Sequence, residues 1–208
     1  MHQPHDVTLA STGQLSWLNE PTNWRLEGDR LTVTPETGSD FWQGTHYGFR
    51  EDTGHFLHTR RTDDFLLQTR VHLQPRYQYD QAGLMVRLSA DTWIKTSLEY
   101  EPTGPSRLGA VVTNHGWSDW STQDMEVPDD AIGFAITRSG ADFVIEAEIA
   151  GRWSQLRIAR LHDMDDRAPL QCGVYACSPK GAGLRATFHD LSIGTTAAPD
   201  MPAAGETP

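Results

Sequence analysis

The sequence predicts an all-β protein in which two antiparallel sheets pack as a sandwich, and three observations carry that expectation. Apolar residues recur with period two or in short runs, turn residues interrupt the chain about every eight to twelve positions, and no apolar stripe keeps helical spacing for three turns. About ten strands in 208 residues require two packed layers, because one open sheet of that size would curl or leave both faces half wet. A chain this long buries roughly 70% of the surface that its unfolded form exposes, so its core needs neither disulfide nor metal.

In order along the chain, strands are expected at residues 31–33, 65–73, 83–88, 93–100, 108–113, 131–138, 143–149, 153–161, 170–177 and 184–193. Breakers separate them: Pro102, Gly104 and Pro105, then Ser139-Gly140, Ala150-Gly151, and the run from Ser178 to Gly183. Phe143, Ile145, Ala147 and Ile149 alternate with Val144, Glu146 and Glu148, as in a strand with one wet face. Residues 1–193 are expected to form one domain. Residues 194–208, rich in Thr, Ala and Pro and nearly free of apolar bulk, are expected to be a disordered tail.

Seventeen basic against twenty-eight acidic residues give a net charge of −11, which opposes nucleic-acid backbones and anionic membranes. Arg60-Arg61, the one adjacent basic pair, is followed by Asp63-Asp64. Cys172 and Cys177 lie an odd number of residues apart in one expected strand, so they point to opposite faces and stay unpaired. Two free thiols suit a reducing compartment, and the N-terminus shows no basic region leading an apolar run, so the expected location is cytoplasmic. No cofactor or metal is expected: His55 and His58 would face opposite ways in an extended segment, and the acidic loop at 163–166 offers a hard cation only three side chains.

The stretch with chemical promise is 93–100. Trp93, Lys95, Ser97 and Glu99 share one face, and Ile94, Thr96, Leu98 and Tyr100 share the other, which suits a core. The preceding strand offers Tyr77, Tyr79, Gln81, Met85 and Arg87 at matching parity, with Gly83 leaving room for a close approach. Asp80 has the wrong parity unless a bulge re-aims it. Lys95 and Glu99 stand about 13 Å apart along the strand, so each is available for a partner on another strand; the alternative to a binding surface is a salt-bridged face in which Lys95 pairs with Asp80 or Glu99 with Arg87. Sugar recognition needs rings for stacking and planar polar groups for hydroxyls. Trp42, Tyr77, Tyr79, Trp93, Trp117 and Trp120 supply the first, and Asp80, Gln81, Arg87, Lys95, Glu99, Asn114 and Asp119 the second.

Taken in order, Trp17 to Pro21, Asp40-Phe41-Trp42, Tyr79-Asp80-Gln81-Ala82-Gly83, Trp93-Ile94-Lys95, Glu99-Tyr100, Ser118-Asp119-Trp120-Ser121 and Gly173 to Pro179 carry a resemblance over residues 13–193. The chain resembles the regulation-of-enolase-protein family of concanavalin A-like domains of unknown function. It is more distantly similar to the β-sandwich that follows the catalytic domain of many β-xylosidases. The resemblance implies a jelly-roll sandwich of two curved antiparallel sheets, and it implies no ligand or reaction.

The expected function is recognition of a carbohydrate or sugar-like small molecule on the concave face. One alternative is a small hydrolase, lyase or isomerase with Glu99, Asp119 and Lys95 as acid, base and electrostatic stabiliser. The paired-carboxylate strand motif of laminarinase-like sandwiches is missing here. A second alternative is a protein-binding metabolic regulator that uses the same face or a sheet edge.

Overall fold

The computed structural model describes residues 6–149, 151–165 and 168–195; Gly194 and Thr195, expected in the tail, instead end the last strand, and the rest of the expected tail, from 196 onward, lies outside the described residues. In chain order the strands are β1 (Val7–Thr8), β2 (Ser16–Leu18), β3 (Asn23–Glu27), β4 (Arg30–Thr34), β5 (Phe41–Gln43), β6 (Arg50–Asp52), β7 (His55–Arg61), β8 (Phe65–Gln74) and β9 (Gln81–Ser89). They continue as β10 (Thr92–Glu99), β11 (Ser106–Asn114), β12 (Trp117–Met125), β13 (Ile132–Ser139), β14 (Asp142–Ile149), β15 (Arg152–Arg160), β16 (Leu170–Cys177) and β17 (Arg185–Thr195). Each expected strand is present. Those the pattern left out are short, lie at a sheet edge with little apolar content, like β12, or, like β7, carry only two apolar residues, Phe56 and Leu57.

The first sheet runs β15-β14-β13-β8-β17-β4-β3, with β1 on β17, and the second runs β12-β11-β10-β9-β16-β7-β2. Neighbours within both are antiparallel, and the two curved sheets form the jelly-roll sandwich. Between them lies the main core, in which Leu67, Val71, Phe134, Ile136 and Phe188 of the first sheet meet Leu84, Val86, Ile94, Leu98 and Val174 of the second. Thr96 also faces inward and settles its hydroxyl on the Gly109 carbonyl at 2.8 Å. Cys172 belongs to this core, while Cys177 lies on the opposite face of the same strand; both are free, as parity required.

The outer face of the second sheet carries a second apolar cluster: Phe41, Trp42, Phe56, Met85, Trp93, Val111, Tyr175 and Cys177. The β5–β6 hairpin makes it by lying across that face and setting Phe41 against Trp93 and Tyr175, with ring centroids 6.3 and 6.2 Å apart. Gly83 serves the sheet rather than a ligand, since a Cβ there would stand 1.9 Å from the Thr96 carbonyl oxygen on the neighbouring strand. Gly109 and Gly173 meet the same limit, at 2.0 Å from the carbonyls of Ser121 and Leu57. All three turn toward the hairpin side, and at each of them the carbonyl of a neighbouring strand stands where a Cβ would go.

Candidate functional site

The hairpin is held by buried charge. Arg87 donates to both Asp52 carboxylate oxygens at 2.6 and 2.7 Å, and its guanidinium carbon stands 5.9 Å from the Phe41 ring centroid. Lys95 donates to the Phe41 carbonyl at 2.7 Å and lies 3.5 Å from Asp40 Oδ1. At the far end, Gln43 N donates to Ser118 Oγ, and Arg50 bridges Gln43 to the Gly116 carbonyl. Each buried cation thus has an anion or carbonyl in reach, which offsets the cost of taking it out of water.

What the hairpin leaves open is a pocket of about 160 Å³ over the end of β10. Trp42, Tyr47, Phe49, Tyr79 and Trp120 wall it, Val111 and Pro179 add apolar surface, and Asp40, Lys95, Glu99 and Lys180 are its charged lining. The rings brace one another: Trp42 meets Tyr47 at 5.4 Å and Trp120 at 6.5 Å, both edge to face. Trp42 Nε1 is satisfied by the Thr45 carbonyl at 3.0 Å. Tyr79 reaches the pocket from a turn rather than a strand, at φ 71°, and the Lys180 ammonium stands 5.6 Å from its ring centroid.

Glu99 is the half-buried acid of this pocket. Gln81 Nε2 donates to its Oε2 at 2.8 Å, and the Tyr175 hydroxyl donates to Gln81 Oε1 at 3.0 Å, which fixes the amide with its nitrogen toward Glu99. Burial pushes the Glu99 carboxyl up to about 8; Lys95 and the Gln81 bond pull it down, while Asp40 and Glu101 push it further up. At neutral pH Glu99 is therefore mostly protonated and can donate a hydrogen bond or a proton. Burial also raises Tyr79, helped by Glu101, and holds the Cys172 thiol up at about 12, which keeps it unreactive.

Of the residues expected at the site, Trp42, Tyr79, Lys95, Glu99 and Trp120 converge on the pocket, with Gln81 directly behind Glu99. The rest are placed otherwise. Trp93 has the expected parity but is sealed under Phe41, with its indole nitrogen on the Ala90 carbonyl. Arg87 fastens the hairpin to the sheet instead of pairing with Glu99. Asp80 does not reach Lys95: it is fully buried and accepts from Arg76 N, Tyr77 N and Ser178 Oγ, so it builds the turn before β9.

Tyr77 leaves that turn on the other side, toward Gly181. Asp119 pairs in register with Val112, a residue of the main core, so it faces away from the pocket and meets Arg157 at 3.0 Å. Asn114 ties the end of β11 to the end of β15 through the Arg160 carbonyl and His162 N. Sequence reasoning missed Asp40, Tyr47, Phe49, Pro179 and Lys180. Tyr47, inside the loop bounded by Gly44 and Gly48, and Phe49 just after it were the available signal. His55 and His58 do face opposite ways, and among the described residues no group of three His, Cys, Asp or Glu could hold a metal ion.

The chain is thus a concanavalin A-like jelly-roll β-sandwich with a hairpin roofing the outer face of its second sheet. Residues 17–196 match the family described as "Protein of unknown function (DUF1349)". The chain is 33% identical over 180 residues to "Regulation of enolase protein 1" of Saccharomyces cerevisiae, covering 86% of this chain and 89% of that one. It belongs to this regulation-of-enolase-like family of unknown function. A solved structure of a functionally unknown protein from Saccharomyces cerevisiae superposes with a TM-score of 0.82 at 31% identity, over 92% of this chain and all of that one. A legume lectin-like domain from Entamoeba histolytica shares the fold at TM-score 0.58 and 9% identity, over 89% of this chain and 92% of that one. So does Bacteroides ovatus xyloglucan PUL GH43B, at TM-score 0.69 and 17% identity, over 94% of this chain but 40% of that protein. Among the described residues no helix is long and apolar enough to cross a membrane.

Proposed function

We propose that the pocket under the hairpin recognises a small saccharide-like molecule. One observation carries the reading: five aromatic side chains wall a cavity whose floor holds a carboxyl, Glu99, positioned by Gln81 and Tyr175. A ring's apolar face packs on Trp120 and Trp42, while Glu99 and the free lone pairs of Asp40 meet its hydroxyls. The lectin-like and glycosidase folds of the structural neighbours support the reading at the level of architecture. The test is a thermal-shift panel of methyl glycosides on the wild type and on Trp120→Ala. Ligand at a hundred times its dissociation constant stabilises by about 2.7 kcal/mol, and the variant should lose that shift. A panel without a shift, or one unaffected by Trp120→Ala, sinks the reading.

An enzyme remains the second reading, because Glu99 has the proton affinity of a general acid at neutral pH. Asp119 cannot be its partner from the opposite face, and Asp40, held by Lys95, is the carboxylate that shares the pocket. Glu99→Gln should then abolish turnover of a glycoside that it still binds. A third reading, a protein-binding regulator, draws on the name of the yeast relative and on the exposed Tyr47 and Phe49 at the pocket rim. The two unpaired thiols favour a reducing compartment for any of the three.

A further inference from the structure

Glu99 lacks a counter-ion of its own. Its Oε2 accepts from Gln81, and among the described residues its Oε1 takes neither hydrogen bond nor ion pair. The surrounding cations are engaged elsewhere: Lys95 with Asp40 and the Phe41 carbonyl, and Arg107, which stands opposite Glu99 in register, with Asp124. Lys180 rests over Tyr79 at the mouth, so this aromatic wall already accepts one ammonium. The polar groups are few, and hydroxyls enclosed here beyond the reach of Glu99 and Asp40 would be left unpaired. An ammonium group asks for less. Its carbon substituents suit the rings, its charge is drawn to their faces, and one carboxylate completes the site.

We propose that the ligand of this pocket carries a positively charged nitrogen, seated among Trp42, Tyr47, Tyr79 and Trp120 with its charge against Glu99. The inference rests on the small-molecule reading above and narrows it to organic ammonium compounds, ring amines with hydroxyls among them. Binding such a cation ionises Glu99 and releases its proton to solvent. The groups facing Glu99 and setting that exchange are Lys95 on its own strand, Arg107 opposite it on β11, Gln81 on β9 with Tyr79 in the turn before it, Tyr175 and Cys177 on β16, Asp40 of the hairpin, Lys180 in the pocket lining and Glu101 just beyond β10.

Choline, whose charge does not titrate, is the probe, with dimethylbutanol, its uncharged carbon isostere, as the control. Calorimetric titration should show choline binding about tenfold more tightly than the isostere. It should also show choline binding tightening by roughly tenfold from about pH 7 to about pH 9 as Glu99 ionises. Glu99→Gln, which keeps the shape of the side chain, should abolish both the preference and the pH dependence while retaining the fold by circular dichroism. Equal affinity for the two probes, or choline binding that is flat with pH, overturns the proposal. If neither probe binds but a neutral methyl glycoside does, and Trp120→Ala abolishes it, the ammonium inference falls and the saccharide reading stands. Failure of all three ligands removes both.

Discussion

The two sheets of the sandwich treat their outer faces in opposite ways. In β8, Phe65, Leu67, Thr69, Val71 and Leu73 are buried while Leu66, Gln68, Arg70 and His72 are only half covered, so the strand has one wet side. In β10, Thr92 through Leu98 are all buried, although Lys95 and Ser97 are as polar as anything on β8. The difference is the hairpin. On the first sheet Arg70 and Glu148 form a partly exposed pair of the kind that contributes little. On the second, Arg87 and Lys95 are desolvated and committed to Asp52 and Asp40, so losing either partner is costly. Similar residue types are surface chemistry on one sheet and fasteners on the other.

The largest expected effect that would break this contrast is on Phe41, fully buried between Trp93 and Tyr175 although it belongs to a hairpin outside both sheets. Phe41→Ala should cost about 3–5 kcal/mol in urea unfolding, as a core phenylalanine does; a cost below 1 kcal/mol would mean that the hairpin is no part of the folded core. Next is Gly83→Ala, whose methyl would strike the Thr96 carbonyl and should cost roughly 1–3 kcal/mol by the same assay. If it were tolerated, the close approach of the Thr96 carbonyl to that position would be wrong.

A smaller effect concerns pH. The folded Glu99 binds its proton up to about 8 while the unfolded carboxyl releases it near 4.5, so between those values rising pH favours the unfolded chain. Compared with Glu99→Gln, the wild type should lose on the order of 1 kcal/mol per pH unit at most across that window, and the difference should level off above it. Parallel stability curves for the two proteins would show that Glu99 titrates normally. The smallest effect belongs to the wet sheet: His72→Ala should change stability by about 0.5 kcal/mol or less.

Strand periodicity made most of this fold legible, and the parity of β10 put Trp93, Lys95, Ser97 and Glu99 on the correct face. It did not reveal what covers that face, because Phe41 and Trp42 sit in a segment too short and too interrupted by Gly44 and Gly48 to show a period. Parity alone could have removed Asp119, which is adjacent to Trp120 and so cannot share its side of β12. Asp80 and Tyr77 were misplaced because β9 begins only at Gln81, and the residues before it form a turn organised by the Asp80 carboxylate. Lys180 arrives from a loop distant in sequence, and no local pattern points to it.

The hairpin is fixed at three places along its length, by Lys95 near its start, by Arg50 at its far end and by Arg87 on its return strand. A roof pinned in this way should stay seated on the sheet. Molecules should enter and leave the pocket through its mouth without waiting for a protein motion, so observed association rates should rise linearly with ligand concentration and show no plateau. Selectivity would then reside in how long a molecule stays rather than in which molecules are admitted.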